Sequence, residues 1–323
     1  MESLPVDMSN PPCKTFSPSF VLTPLSLSVN IATVLVCHFI VKPSILDIIK
    51  LYPASISPHP AWLAVYVILI YIFQIGYCLL LILAKDPDTK RALVKAVGLS
   101  LVLANWAMAV WAIAWILRMF LFSTIMLGIL LLLLVYSNVA LLIYHAPTYS
   151  RPFDMALIHA PLRFFMILPL SLLFPYSLFI TLGLTYASHP EDYALHPWPG
   201  FAVVMSVNLL SLVVILFRRD IIWAIAATWI CISIWTASPK PAPVFITVVL
   251  FTVLHPLGLI SMLIYDQLSH RRGRIALPPD DAPVSRRSRR DQRAPSPQPH
   301  GLGSRQERPD GAREVDVEGV WGT

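Results

Sequence analysis

Eight stretches of this chain run for about 17 to 25 residues with almost no charge, and no other property narrows the fold as much. They are Phe20 to Val41, Trp62 to Ala84, Ala96 to Leu117, Phe120 to Tyr144, Phe164 to Tyr186, Phe201 to Phe217, Ile221 to Ala237, and Val244 to Tyr265. A bilayer core about 30 Å thick is crossed by about 20 apolar helical residues. The fold expected is therefore an all-α polytopic membrane bundle of eight transmembrane helices. The sixth and seventh stretches are separated only by Arg218, Arg219 and Asp220. Merging them would put three charges at the bilayer centre at a cost of several kcal/mol. Composition agrees: 13% of the residues are charged and mean hydropathy is +0.68, where soluble domains carry about 25% charged residues.

Eight spans place the amino tail, the even loops and the carboxyl tail on one side. That side holds twelve lysines and arginines: Lys14, Lys85, Lys90, Arg91, Lys95, Arg151, Arg163, Arg218, Arg219, Arg271, Arg272 and Arg274. The other holds four, Lys42, Lys50, Arg118 and Lys240. By the positive-inside rule both termini are cytosolic. The organisation expected is a cytosolic tail over residues 1–19, the membrane domain over 20–265, and a disordered Arg/Pro-rich cytosolic tail over 266–323. In that last segment eleven arginines and nine acids alternate with prolines and serines, too little apolar surface to fold on. Its arginine clusters suit contact with anionic membrane lipids. The basic pI needs no nucleic-acid partner, because cationic loops set topology. The polar start has no cleavable-signal pattern, so the first span is expected to act as its own signal.

The third span carries the densest aromatic pattern, Asn105-Trp106-Ala107-Met108-Ala109-Val110-Trp111-Ala112-Ile113-Ala114-Trp115. Trp111 and Trp115 are four residues apart and share a helix face below Met108, while Trp106 is rotated away. Wide indoles beside narrow alanines suit tight helix packing or a flat ligand. The fourth span, with its Leu130 to Leu134 run, reads as lipid-facing apart from Ser137 and Asn138. The fifth contains Pro169 and Pro175 after Pro161 at its threshold, a pattern that bends a helix and leaves space.

No Asp, Glu, Lys or Arg falls well inside a span as drawn, which argues against an ion-coupled transporter or a membrane hydrolase. Histidine boxes, metal-binding cysteine spacings and a phosphate-cradling glycine loop are missing. The outer loop with His189, Glu191, Asp192 and His196 lacks the spacing of a metal site, and no metal or cofactor is expected. Polar chemistry gathers instead in the cytosolic loops: His145, Arg151, Asp154, His159 and Arg163 in the fourth, and Arg218, Arg219 and Asp220 in the sixth. Asp220 is placed to cap the seventh helix.

Three short motifs carry a resemblance: the Asn105-Trp106 pair, the His159-Ala160-Pro161-Leu162-Arg163 lead into the fifth span, and Asp220-Ile221-Ile222-Trp223 running on to Trp229. In these the chain resembles long, multi-span members, of the kind found in fungi, of the tryptophan-rich sensory protein and translocator-protein-related families. The second span departs from their W-G-x-x-Y pattern, with Trp62 near its start and Gln74-Ile75-Gly76-Tyr77 later. The better-known short members have five helices and bind porphyrins and sterol-like ligands in an aromatic pocket. The resemblance implies that Trp106, Trp111, Trp223 and Trp229 resemble that lining.

The function expected is binding or passage of an apolar, planar small molecule, porphyrin-, sterol- or isoprenoid-like, between helices. Trp111 and Trp115 would supply stacking surface, Asn105 a polar anchor, and Trp223 and Trp229 the opposite wall. Two alternatives come from other classes. One is an intramembrane enzyme of specialised lipid or terpenoid metabolism using His159, Arg163 and Asp220, and the other is a membrane assembly factor without a ligand.

Overall fold

A computed structural model of the chain describes residues 19–83, 97–144, 155–187 and 189–272. Lys14, Lys85, Lys90, Arg91, Lys95, His145, Arg151, Asp154 and the tail from 273 onward lie outside the described residues. Among those described the regular structure is all helical: α1 Ser19–Leu35 with a π-helical end Val36–Ile40, α2 Ile45–Leu51, α3 Pro60–Leu83, α4 Leu99–Ile116 and α5 Phe120–Tyr144. Then come α6 Ala160–Leu168 and α7 Phe174–Thr181, joined by the π turn Pro169–Leu173, and α8 Pro197–Arg218, α9 Ile221–Trp235 and α10 Ala242–Arg272.

Seven of the described helical segments are long and apolar enough to cross a membrane, and α9 is a shorter apolar helix in the place of the seventh expected span. The protein is a membrane helix bundle of the kind the apolar runs demand. Two of its reversals are very tight. Arg118 (φ 59°) and Arg219 (φ 51°) sit in the left-handed region just past α4 and α8, where glycine is the usual residue.

The fifth span departs from its expected limits. Instead of Phe164 to Tyr186 it covers Leu157–Thr181, so Pro161 and Arg163 lie within the helical stretch. A hydropathy ruler stops at an arginine, but Arg163 is only 4% exposed because it meets a carboxylate from another loop. Pro169 opens the π turn between α6 and α7, a wider turn that accommodates the missing N–H. This irregular span is the middle of the bundle: α6 packs on α3, α5 and α9, and α7 on α5. Around it α1, α4 and α5 form one flank and α8, α9 and α10 the other. The last helix also runs past the Tyr265 limit, reaching Arg272.

The segment from Lys42 to His59 folds into one end of the bundle. Ser44 and Asp47 form a reciprocal capping box that starts α2. Ile48, Ala54 and Ile56 are at most 1% exposed. Backbone carbonyls in this buried segment must be satisfied, and side chains from distant helices do it. The Tyr176 hydroxyl shares its one proton between the carbonyls of Ile49 and Tyr52 (3.0 and 2.7 Å), Tyr186 donates to Ala54 (3.1 Å), and Lys240 Nζ to Ser57 (2.5 Å). At Gly200 a Cβ would collide with the Ser55 side chain and crowd Val244, so glycine lets α8 approach here.

Candidate functional site

Two cavities stand out, at opposite ends of the bundle. The first lies where α1 with its π-helical end, α2, α3 and α4 converge, has a volume of about 150 Å³, and is walled by Val34, Leu63, Val67, Met108, Trp111 and Leu173 among others. Its walls are almost wholly apolar. The exceptions are informative: His38, Tyr71 and Trp111 line it, and of their polar atoms the Tyr71 hydroxyl and Trp111 Nε1 are buried with no hydrogen-bond partner among the described residues. An unmade buried donor costs about 1–3 kcal/mol. Leu35, Phe39 and Ile68 stand at the same cavity with 47%, 68% and 55% exposure, so it opens sideways toward lipid.

The indole pair of α4 divides its labour. Trp111 and Trp115 are 5.9 Å apart at ring centroids, tilted by 36°. Trp115 is a packing residue: it contacts Phe120 edge-on at 5.5 Å and Tyr176 at 5.8 Å, and its Nε1 donates to the Ile45 carbonyl at 3.4 Å. Trp111 faces the cavity. Asn105, fully buried, accepts a 2.9 Å bond from Asn30 Nδ2 and so ties α4 to α1. Trp106 is 46% exposed.

The second cavity, about 270 Å³, lies between α5, α6, α8 and the start of α9. It contains the buried pair: Arg163 Nη1 lies 2.6 Å from Asp220 Oδ2, with side chains 5% and 4% exposed. Asp220 Oδ1 meanwhile accepts from Trp223 N–H at 3.1 Å, capping α9. Arg218 and Trp223 line the same cavity, with Asn138 and apolar side chains of α5 and α8. His159 is 1% exposed in the π turn Met155–His159 and is not part of this lining.

The expected binding residues are thus distributed. Trp111 lines the first cavity and Trp223 the second, while Trp229 packs edge-on against Trp62 at 5.5 Å and donates to the Trp62 carbonyl at 3.1 Å. Arg163 and Asp220, candidates of the catalytic alternative, come together as an ion pair. Tyr71 is the residue that sequence reasoning missed. Its signal was faint, one hydroxyl in a helix of tyrosines and aliphatic residues.

A family model for TSPO-like proteins matches residues 20–263. No curated protein and no solved structure matches the chain. The matched stretch takes in the bundle from α1 to α10 and both cavities, and the chain belongs to the TSPO-like protein family.

Proposed function

We propose that this multi-pass membrane protein binds a small, flat, mostly apolar molecule in the first cavity, between α1, α3 and α4. One observation carries the reading. An apolar cavity open to lipid has two buried donors on its wall, Trp111 Nε1–H and the Tyr71 hydroxyl, that the described residues leave unmatched. A ligand bringing one acceptor, such as a carbonyl or ether oxygen, would supply the missing partner, and its rings would lie along the Trp111 indole. The enclosed volume suits about one six-membered ring. A larger sterol-, porphyrin- or isoprenoid-like ligand would therefore insert one end and extend past Phe39 and Ile68 into the bilayer. The excess of lysine and arginine around the even loops supports a topology with both termini cytosolic, which puts this cavity in the outer half of the membrane.

The test is thermal stability of the purified protein in nanodiscs across porphyrins, sterols and isoprenoids. A ligand at a hundred times its Kd stabilises the fold by about 2.7 kcal/mol. Trp111→Phe keeps an aromatic wall and removes the N–H; together with Tyr71→Phe it is expected to weaken binding by about tenfold or more without lowering the unliganded melting point, since both deleted donors are unpartnered there. Unaltered affinity in the double variant would overturn the reading.

A further inference from the structure

The second cavity is not accounted for by that reading, and its chemistry differs. Two guanidinium groups, Arg163 and Arg218, line one space, and one carboxylate, Asp220, answers them. Arg163 is the one neutralised, at 2.6 Å. Arg218 stands at the exposed end of α8 and has no ion-pair partner among the described residues. On the same lining Trp223 is 9% exposed, and its Nε1 is buried without a hydrogen-bond partner among the described residues. The far side of the cavity is apolar and reaches the lipid: Val135, Val139 and Leu210 line it and are 41%, 49% and 48% exposed.

We infer that this cavity binds a monoanionic amphiphile, its oxyanion head between Arg218, Arg163 and the Trp223 indole and its chain laid along Val135, Val139 and Leu210. Each part follows from one side of the lining. The uncompensated formal charge is a single positive one, so the head carries a single negative one, as a carboxylate or a phosphodiester does. A guanidinium binds either oxyanion through charge-assisted bonds stronger than those to neutral groups. A soluble anion would leave the apolar half of the cavity unfilled, and an uncharged lipid would leave Arg218 without a counterion. The ion pair has a positioning role: Asp220 holds Arg163 in place while capping α9, so the guanidinium is set before the ligand arrives.

The experiment uses the full chain in neutral maltoside detergent, titrated separately with oleate, dioleoylphosphatidylglycerol, oleyl alcohol and inorganic phosphate, with melting temperature as the readout. Saturable stabilisation is expected from oleate, from the phosphatidylglycerol, or from both, and the stronger response identifies a free fatty acid or a lipid as the source. Arg218→Gln should raise the half-saturating concentration by about tenfold or more, Trp223→Phe by less, and Arg218→Lys should recover part of the loss. Arg219→Gln, at the same end but outside the cavity lining, should respond as the parent does. Three outcomes overturn the inference: equal stabilisation by oleyl alcohol, an Arg218→Gln response equal to the parent's, or an Arg218-dependent shift with inorganic phosphate alone. No stabilisation by either anionic amphiphile overturns it as well, and leaves the first cavity untouched.

Discussion

Arg163 and Asp220 would each cost several kcal/mol to bury alone, and each is buried because the other is there. Asp220→Asn separates its two tasks, since asparagine still caps a helix but carries no charge. This substitution is expected to destabilise the fold by about 3–5 kcal/mol. Removing both charges in Arg163→Met with Asp220→Asn should recover most of that. Denaturation of the parent and both variants in detergent checks it, and a loss below about 1 kcal/mol in the single variant would reduce the pair to a surface-like contact. Lys240, in the turn between α9 and α10, offers a pH test. Burial pushes its ammonium down from 10.5 to about 7. Between those values the unfolded chain holds a proton that the folded protein has shed, so stability rises with pH from about 7 to 10.5. Lys240→Met should flatten that rise. Melting temperatures at pH 6, 8 and 9.5 give the answer, and parallel curves for the two proteins would show that folding leaves the lysine's pKa unshifted.

At the scale of elements, the apolar ruler found every span, because twenty residues of lipid-compatible sequence leave little choice of structure. It set α5 at Phe120 to Tyr144, as the structure does. It failed where burial depends on a partner remote in sequence: Arg163 ended the ruler's fifth span early, because its counter-charge lies at Asp220. The indoles were legible as a cluster, but their division between a cavity wall at Trp111 and a packing residue at Trp115 depends on which acceptor lies nearby. That acceptor, the Ile45 carbonyl, comes from α2. The helix in the place of the seventh expected span, α9, has 15 residues, about 22 Å of rise, and does not cross a bilayer core unaided. The His59 N–H reaches its Ser233 carbonyl at 2.6 Å, and Lys240 and Gly200 hold the same segment from two sides. Replacing residues 53–58 with a Gly-Ser run of equal length is expected to raise hydrogen exchange at the carboxyl end of α9, near Ile230 to Trp235, while α5 stays protected. Unchanged exchange there would show that α9 holds its end without the loop.

The two cavities share no lining residue and differ in character, one nearly all apolar apart from His38, Tyr71 and Trp111, the other charged on one side. Both have exposed aliphatic residues on their walls, so each opens sideways between helices rather than only at the ends of the bundle. The union of α9 with the segment from Pro53 to His59 also bears on how the chain is made. A ribosome produces that segment well before the helix it covers. The contacts between them therefore form only once α9 has been made, however early the first spans are in place. A chain interrupted after α8 is left with its cover built and nothing beneath it, the His59 N–H without the Ser233 carbonyl it meets in the finished bundle.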